Sequence, residues 1–117
     1  MPEQSQELYL WDILESGQAI QQYVQGIDFA GFVADRMRSA ATIREFEIIG
    51  EAVGKLSVET KALRPDLPWQ DIKDFRNLLI HEYFGVDLQI IWGVIGEELP
   101  LLLDGVRQIL QNCFSSD

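Results

Sequence analysis

The chain has 117 residues, 47% hydrophobic and 24% charged, and its 9 basic against 19 acidic residues give a formal net charge of −10. This is one domain's worth of chain, able to bury something near ~65% of the surface its unfolded form exposes, and its composition excludes an intrinsically disordered or membrane-spanning protein. The acidity excludes a broad, non-specific grip on nucleic acid, which needs a basic face, and leaves room only for a small site built on local arginines.

Apolar residues at Leu10, Ile13, Leu14, Ile20 and Val24, with Trp11 and Tyr23 beside them, have the spacing of an amphipathic helix over residues 5–25 that Gly26 ends. Residues 27–34 read as a short turn or helical bridge. Asp35 can then N-cap a second long helix to about residue 56, in which Phe46, Ile49, Val53 and Leu56 form one stripe. The segment VETKALRPDLP, residues 58–68, is punctuated by Pro65 and Pro68 and reads as a connecting loop with one helical turn. Trp69 opens a third long helix to about Tyr83, where Gly85 can supply a C-terminal cap. Asp87 is placed to cap a last helix over residues 88–112, with Pro100 inside it as a kink. Four long helices and no convincing strand predict an all-α, antiparallel four-helix bundle with short additional helices, in a single domain spanning residues 1–117.

The apolar runs are only a few residues long, far short of the ~20 needed to cross a bilayer. The first residues, MPEQSQELYLWDILES, lack the basic and apolar regions of a secretory signal, so a cytoplasmic protein is expected. The single cysteine, Cys113, has no sequence neighbour suited to zinc and cannot form an internal disulfide.

The chemistry concentrates in RNLLIHEYFG, residues 76–85, which holds the only histidine, His81. On a helix of about 100° per residue, Ile72, Phe75, Leu79 and Tyr83 share a core-facing arc with Arg76 at its edge; Asn77 and His81 lie one turn apart on the next sector. A guanidinium beside a core stripe needs a partner. Arg44, Glu47 and Glu51 share a face of the preceding long helix, which makes Glu51 or Glu47 the natural partner of Arg76. As residues alone, the set also reads as an interhelical ion pair, a cationic helix end and an amphipathic tyrosine, and for a generic helical protein that reading weighs more.

The string Arg76, four residues, His81, one residue, Tyr83 matches the R-x4-H-x-Y signature of the HEPN superfamily and resembles the HepT-type toxins that pair with an MntA-type minimal nucleotidyltransferase antitoxin. REFEIIGEAVGKLS at 44–57, LPWQDIKDFRN at 67–77 and VDLQIIW at 86–92 resemble that family in order and spacing, so the similarity spans about residues 8–103. Asn77 fits too, since the superfamily tends to carry a polar residue directly after the arginine.

The resemblance implies the toxin of a type VII toxin–antitoxin system, a metal-independent endoribonuclease with its site at a homodimer interface and no cofactor. RNA would be the substrate and an MntA-like nucleotidyltransferase the partner. Cleavage by a ribose 2′-hydroxyl requires one group to take a proton, another to return one, and a cation to stabilise the charge on the phosphoryl oxygens. Arg76 suits the last role through its planar fork, and His81 suits proton transfer, an imidazole titrating near pH ~6.5. One chain offers one imidazole, so a site made by two chains accommodates two proton transfers better than a monomer does. The expected interface joins the third and last long helices, with Trp92. Asn77, Glu51 and Glu47 are the expected supporting residues. In the same family the tyrosine of the motif, here Tyr83, receives AMP from the cognate nucleotidyltransferase, which would fill the cleft with bulk and phosphate charge. The alternative is a non-catalytic helical module that binds the nucleotidyltransferase or a nucleotide.

Overall fold

A computed structural model describes residues 2–81 and 85–114 of the chain. These form seven helices, with no strand among the described residues. Helix α1 (Pro2–Tyr23) starts earlier than its apolar pattern requires and buries Leu10, Ile13, Leu14 and Ile20. It ends just before Gly26, whose φ of 77° lies in the left-handed region where a side chain would be strained. The expected bridge forms α2 (Phe29–Ala34). Asp28 caps it by accepting from the Gly31 amide at 2.9 Å.

Helix α3 (Arg36–Lys55) starts where the sequence pattern places it, with Asp35 as N-cap accepting from the Arg38 amide at 3.0 Å. Phe46, Ile49 and Val53 are all buried along its stripe. A single helical turn, α4 (Val58–Lys61), is capped by Ser57. The loop after it is fastened by Trp69, the first residue of α5 (Trp69–His81), whose indole Nε1 donates to the Arg64 carbonyl at 2.9 Å and the Lys61 carbonyl at 3.2 Å. Helix α5 buries Trp69, Ile72, Phe75 and Leu79. The expected extension to Tyr83 falls outside the described residues, and the Gly85 cap adjoins them.

The last helix departs from expectation. In place of one kinked helix there are two, α6 (Leu88–Gly96), capped by Asp87, and α7 (Glu98–Cys113), separated at Glu97. The reason is backbone chemistry: continuing α6 would drive the Pro100 ring against the Gly96 carbonyl four residues back. Restarting at Glu98 puts Pro100 in a first turn, where its missing N–H has no intrahelical partner to lose.

Helix α3 lies between α1 and α5; α1 also packs on α7, α7 on α6, and α2 bridges α3 and α6. The four long layers are thus α1, α3, α5 and the α6–α7 pair, the all-α architecture expected. An edge-to-face contact of Phe46 with Phe75, centroids 5.1 Å apart, joins α3 to α5 and contributes about 0.5–1.5 kcal/mol beyond simple burial. Trp92 packs at a tilt within the chain, its ring centroid 5.1 Å from Phe32 and 6.0 Å from Phe29, and stays partly exposed. Among the described residues no helix is long and apolar enough to cross a membrane.

Candidate active site

The site grows from the contact between α3 and α5. Phe46 packs edge-to-face on Phe75, Ile49 and Ile72 belong to the same buried core, and a further point of approach is Gly50 against Arg76. A Cβ built on Gly50 would overlap Cβ and Cγ of Arg76 and stand 3.4 Å from its Cδ. The aliphatic stem of Arg76 therefore lies directly on the α3 backbone.

This packing gives the guanidinium an unusual setting. Its Nε is buried and has no hydrogen-bond partner among the described residues. Its Nη1 reaches the exposed side of the helix and donates to the Asn77 Oδ1 at 3.4 Å. A buried N–H left without an acceptor is costly, yet the stem is held on α3 and the outer nitrogens are directed toward solvent.

The expected ion pair of Arg76 with Glu47 or Glu51 does not form. Glu47 instead approaches Arg44 one turn earlier on α3, at 3.5 Å, and Glu51 is exposed. The two carboxylates bracket Gly50 in sequence, and the close helix approach at Gly50 brings Arg76 onto the backbone between them rather than onto either side chain. Asn77, by contrast, is joined to Arg76 by that hydrogen bond. His81 is the last residue of α5 and is exposed. Tyr83 lies outside the described residues.

Arg76 and His81 are five residues apart, which on an α-helix means about 7.5 Å of rise and about 140° of rotation. Asn77 stands one turn before His81, so the hydrogen bond from Arg76 to Asn77 draws the guanidinium toward the histidine's sector. Beside this edge a groove of about 340 Å³ runs between α3 and α5, lined by Ala40, Ile43, Glu47, Leu79 and Ile80. The ensemble offers a permanent cation hydrogen-bonded to an amide and, one turn beyond the amide, an exposed imidazole, beside an apolar groove. Such a set can hold an anion and move a proton at it.

Nothing in the spacing of chemical groups along the chain singles out Gly50. Its signal was present, since a glycine inside a helical stripe often marks close backbone approach, but the sequence does not say what approaches. A second depression of about 460 Å³, with Trp11, Leu14 and Arg107 in its wall, lies between α1 and α7 and contains none of the expected site residues.

Residues 13–109 match the family model described as "HepT-like: Ribonuclease HepT-like". The chain belongs to that family. It is 44% identical over 103 residues to "Putative RNase TTE0752" of Caldanaerobacter subterraneus subsp. tengcongensis, covering 88% of this chain and 92% of the relative. It is 39% identical over 94 residues to "Probable ribonuclease HepT" of Thermococcus cleftensis, covering 80% of this chain and 86% of the relative. With "Putative RNase MJ0127" of Methanocaldococcus jannaschii it shares 32% identity over 117 residues, covering 100% of this chain and 97% of the relative. No solved structure matches the chain.

Proposed function

We infer that the chain is an endoribonuclease that works without a metal ion, the toxin of a toxin–antitoxin pair, with Arg76 and His81 as its catalytic residues. The observation that carries this reading is the state of Arg76: a guanidinium whose buried Nε has no partner among the described residues, with no carboxylate from Glu47 or Glu51 to neutralise it. An arginine kept for stability would be paired, whereas one kept for an anionic ligand is left open.

In the reaction proposed, the ribose 2′-hydroxyl gives its proton to a base and its oxygen bonds to the adjacent phosphorus. The bond from phosphorus to the 5′-oxygen breaks, and that oxygen takes a proton from an acid. The products are a 2′,3′-cyclic phosphate and a 5′-hydroxyl. Arg76 stabilises the charge gathering on the phosphoryl oxygens, and His81 is one of the proton-transfer groups. Because Arg76 and His81 diverge around α5 and each chain has one histidine, the site is proposed to form between two copies, with the second imidazole from the other chain. Exposed Leu78 and Ile80 on α5 and Ile90 on α6, at 40%, 40% and 48% of their accessible surface, supply apolar area for such an interface.

The proposed control is nucleotide transfer from a partner nucleotidyltransferase to Tyr83. The phenolic oxygen bonds to the α-phosphorus of ATP, pyrophosphate leaves, and the phenolic proton passes to solvent. Tyr23 is a poorer target, since its hydroxyl donates to Glu45 at 2.9 Å and that hydrogen bond, with burial and the carboxylate's charge, raises its pKa.

The test is cleavage of an RNA oligonucleotide in EDTA by wild type and His81→Ala, with sedimentation of both at micromolar concentration. Metal-free cleavage by a dimer, lost in His81→Ala, is the expected result. Persistence of cleavage in His81→Ala places the chemistry elsewhere, and a monomer that cleaves normally removes the shared site. Co-expression with the nucleotidyltransferase should add the mass of one or more AMP units to wild type and none to Tyr83→Phe.

A further inference from the structure

The contact between Gly50 and Arg76 has no counterpart among the other buried glycines. At Gly105 the atoms nearest an added Cβ are the Cγ and Cδ atoms of Leu67, and at Gly17 those of Leu103. Those are outer atoms of flexible side chains and can turn aside. At Gly50 the obstructing atoms are the Cβ and Cγ of Arg76, and a Cβ follows its own backbone. Relief there requires α5 to move as a helix, or its arginine to leave the α3 surface.

We propose that Gly50 is a positioning residue for the reaction: its bare Cα surface forms the seat that holds the Arg76 stem and aims the guanidinium at the phosphate. This rests on the reading of Arg76 as the phosphate-stabilising cation. Three observations combine. The seat admits no side chain, the Nε inside it is sealed from solvent without a partner, and the outer Nη1 is directed to Asn77. An arginine has several rotatable bonds, and ordering them on substrate binding opposes catalysis; packing the stem in advance removes that cost. The neighbouring contact of Phe46 with Phe75 lies one turn along α3 and holds the two helices at this spacing.

The experiment reads the arginine itself as well as the reaction. Hydrogen exchange at the Arg76 Nε–H is followed by NMR, the signal being assigned by its loss in Arg76→Lys. In wild type it should exchange at least about 10-fold more slowly than the Nε–H of Arg44, whose side chain is 69% exposed. In Gly50→Ala it should approach the Arg44 rate, and kcat on an RNA oligonucleotide should fall about 10²-fold with KM nearly unchanged. Gly105→Ala, which crowds only the outer atoms of Leu67, should leave both readouts near wild type.

Wild-type exchange at Arg76 as fast as at Arg44 overturns the proposal without any variant, including the case in which Gly50→Ala does not fold. Slow exchange and full kcat in Gly50→Ala overturn it as well. If wild type cleaves no RNA while Gly50→Ala still releases the Nε–H, the seat for Arg76 stands and the ribonuclease reading falls.

Discussion

Arg76→Met separates what this side chain does for stability from what it does for chemistry. Methionine keeps an unbranched stem on the Gly50 surface and replaces the buried, unpartnered Nε by a methyl group. Relief of an unsatisfied buried N–H is worth about 1–3 kcal/mol. What is lost is an exposed hydrogen bond to Asn77 at 3.4 Å, long enough to contribute little. No carboxylate is stranded, because Glu47 approaches Arg44 and Glu51 faces solvent. The variant should therefore be more stable than wild type by about 1–3 kcal/mol. With a urea m-value near 1.5 kcal/mol/M, its unfolding midpoint should rise by about 0.7–2 M at unchanged slope. Arg76→Ala also removes two stem methylenes, worth about 0.8 kcal/mol each, and should fall close to wild type. Both should lose RNA cleavage. Denaturation is measured at one protein concentration, since a dimer's stability depends on it. A lower midpoint for Arg76→Met would refute the reasoning, because it would mean that the guanidinium stabilises the fold through a partner of its own.

His81→Ala should abolish cleavage and leave the unfolding free energy within about 0.5 kcal/mol of wild type, because the residue is exposed at the end of the described part of α5; a large loss of stability would mark it as structural. Trp69→Phe removes both indole hydrogen bonds, yet the Lys61 and Arg64 carbonyls keep backbone donors from Arg64 and Leu67, each at 3.2 Å. The cost should therefore sit near 1 kcal/mol, or about 4 °C in Tm, and an unchanged Tm would remove the indole as the anchor of the loop. Asp66 is held at a pKa of about 2, chiefly by its hydrogen bond from Arg64, below its ordinary value of about 3.9. A depressed carboxyl pKa contributes stability above the unfolded value that disappears as pH falls through the folded one. Melting curves of wild type and Asp66→Asn at low salt should thus differ above about pH 4 and converge toward pH 2; parallel curves would show that the Arg64 contact adds nothing.

Parts of this fold that depend on neighbours a few residues apart were legible in the sequence. Asp35 and Asp87 cap the helices they precede, Gly26 takes the left-handed turn, and the stripe of Phe46, Ile49 and Val53 is buried, because caps, turns and amphipathic faces are local. The break at Glu97 was not legible: proline permits either a kink or a restart, and its place in the sequence does not choose between them. The site divides in the same way. Arg76, Asn77 and His81 stand out by residue type and spacing on one helix, but the setting of Arg76 depends on how close α3 comes, and helical spacing alone cannot supply that distance. A helical wheel turns Glu47 and Glu51 toward α5 and makes an ion pair the natural expectation. Gly50 between them brings the backbones so close that the arginine stem meets main chain first, which passes both carboxylates by. In a chain with net charge −10 that is the decisive step, because a guanidinium paired with a carboxylate would have little left to offer a phosphate. Close packing at one glycine thus keeps a cation available on an acidic protein, where a general surplus of positive charge does not.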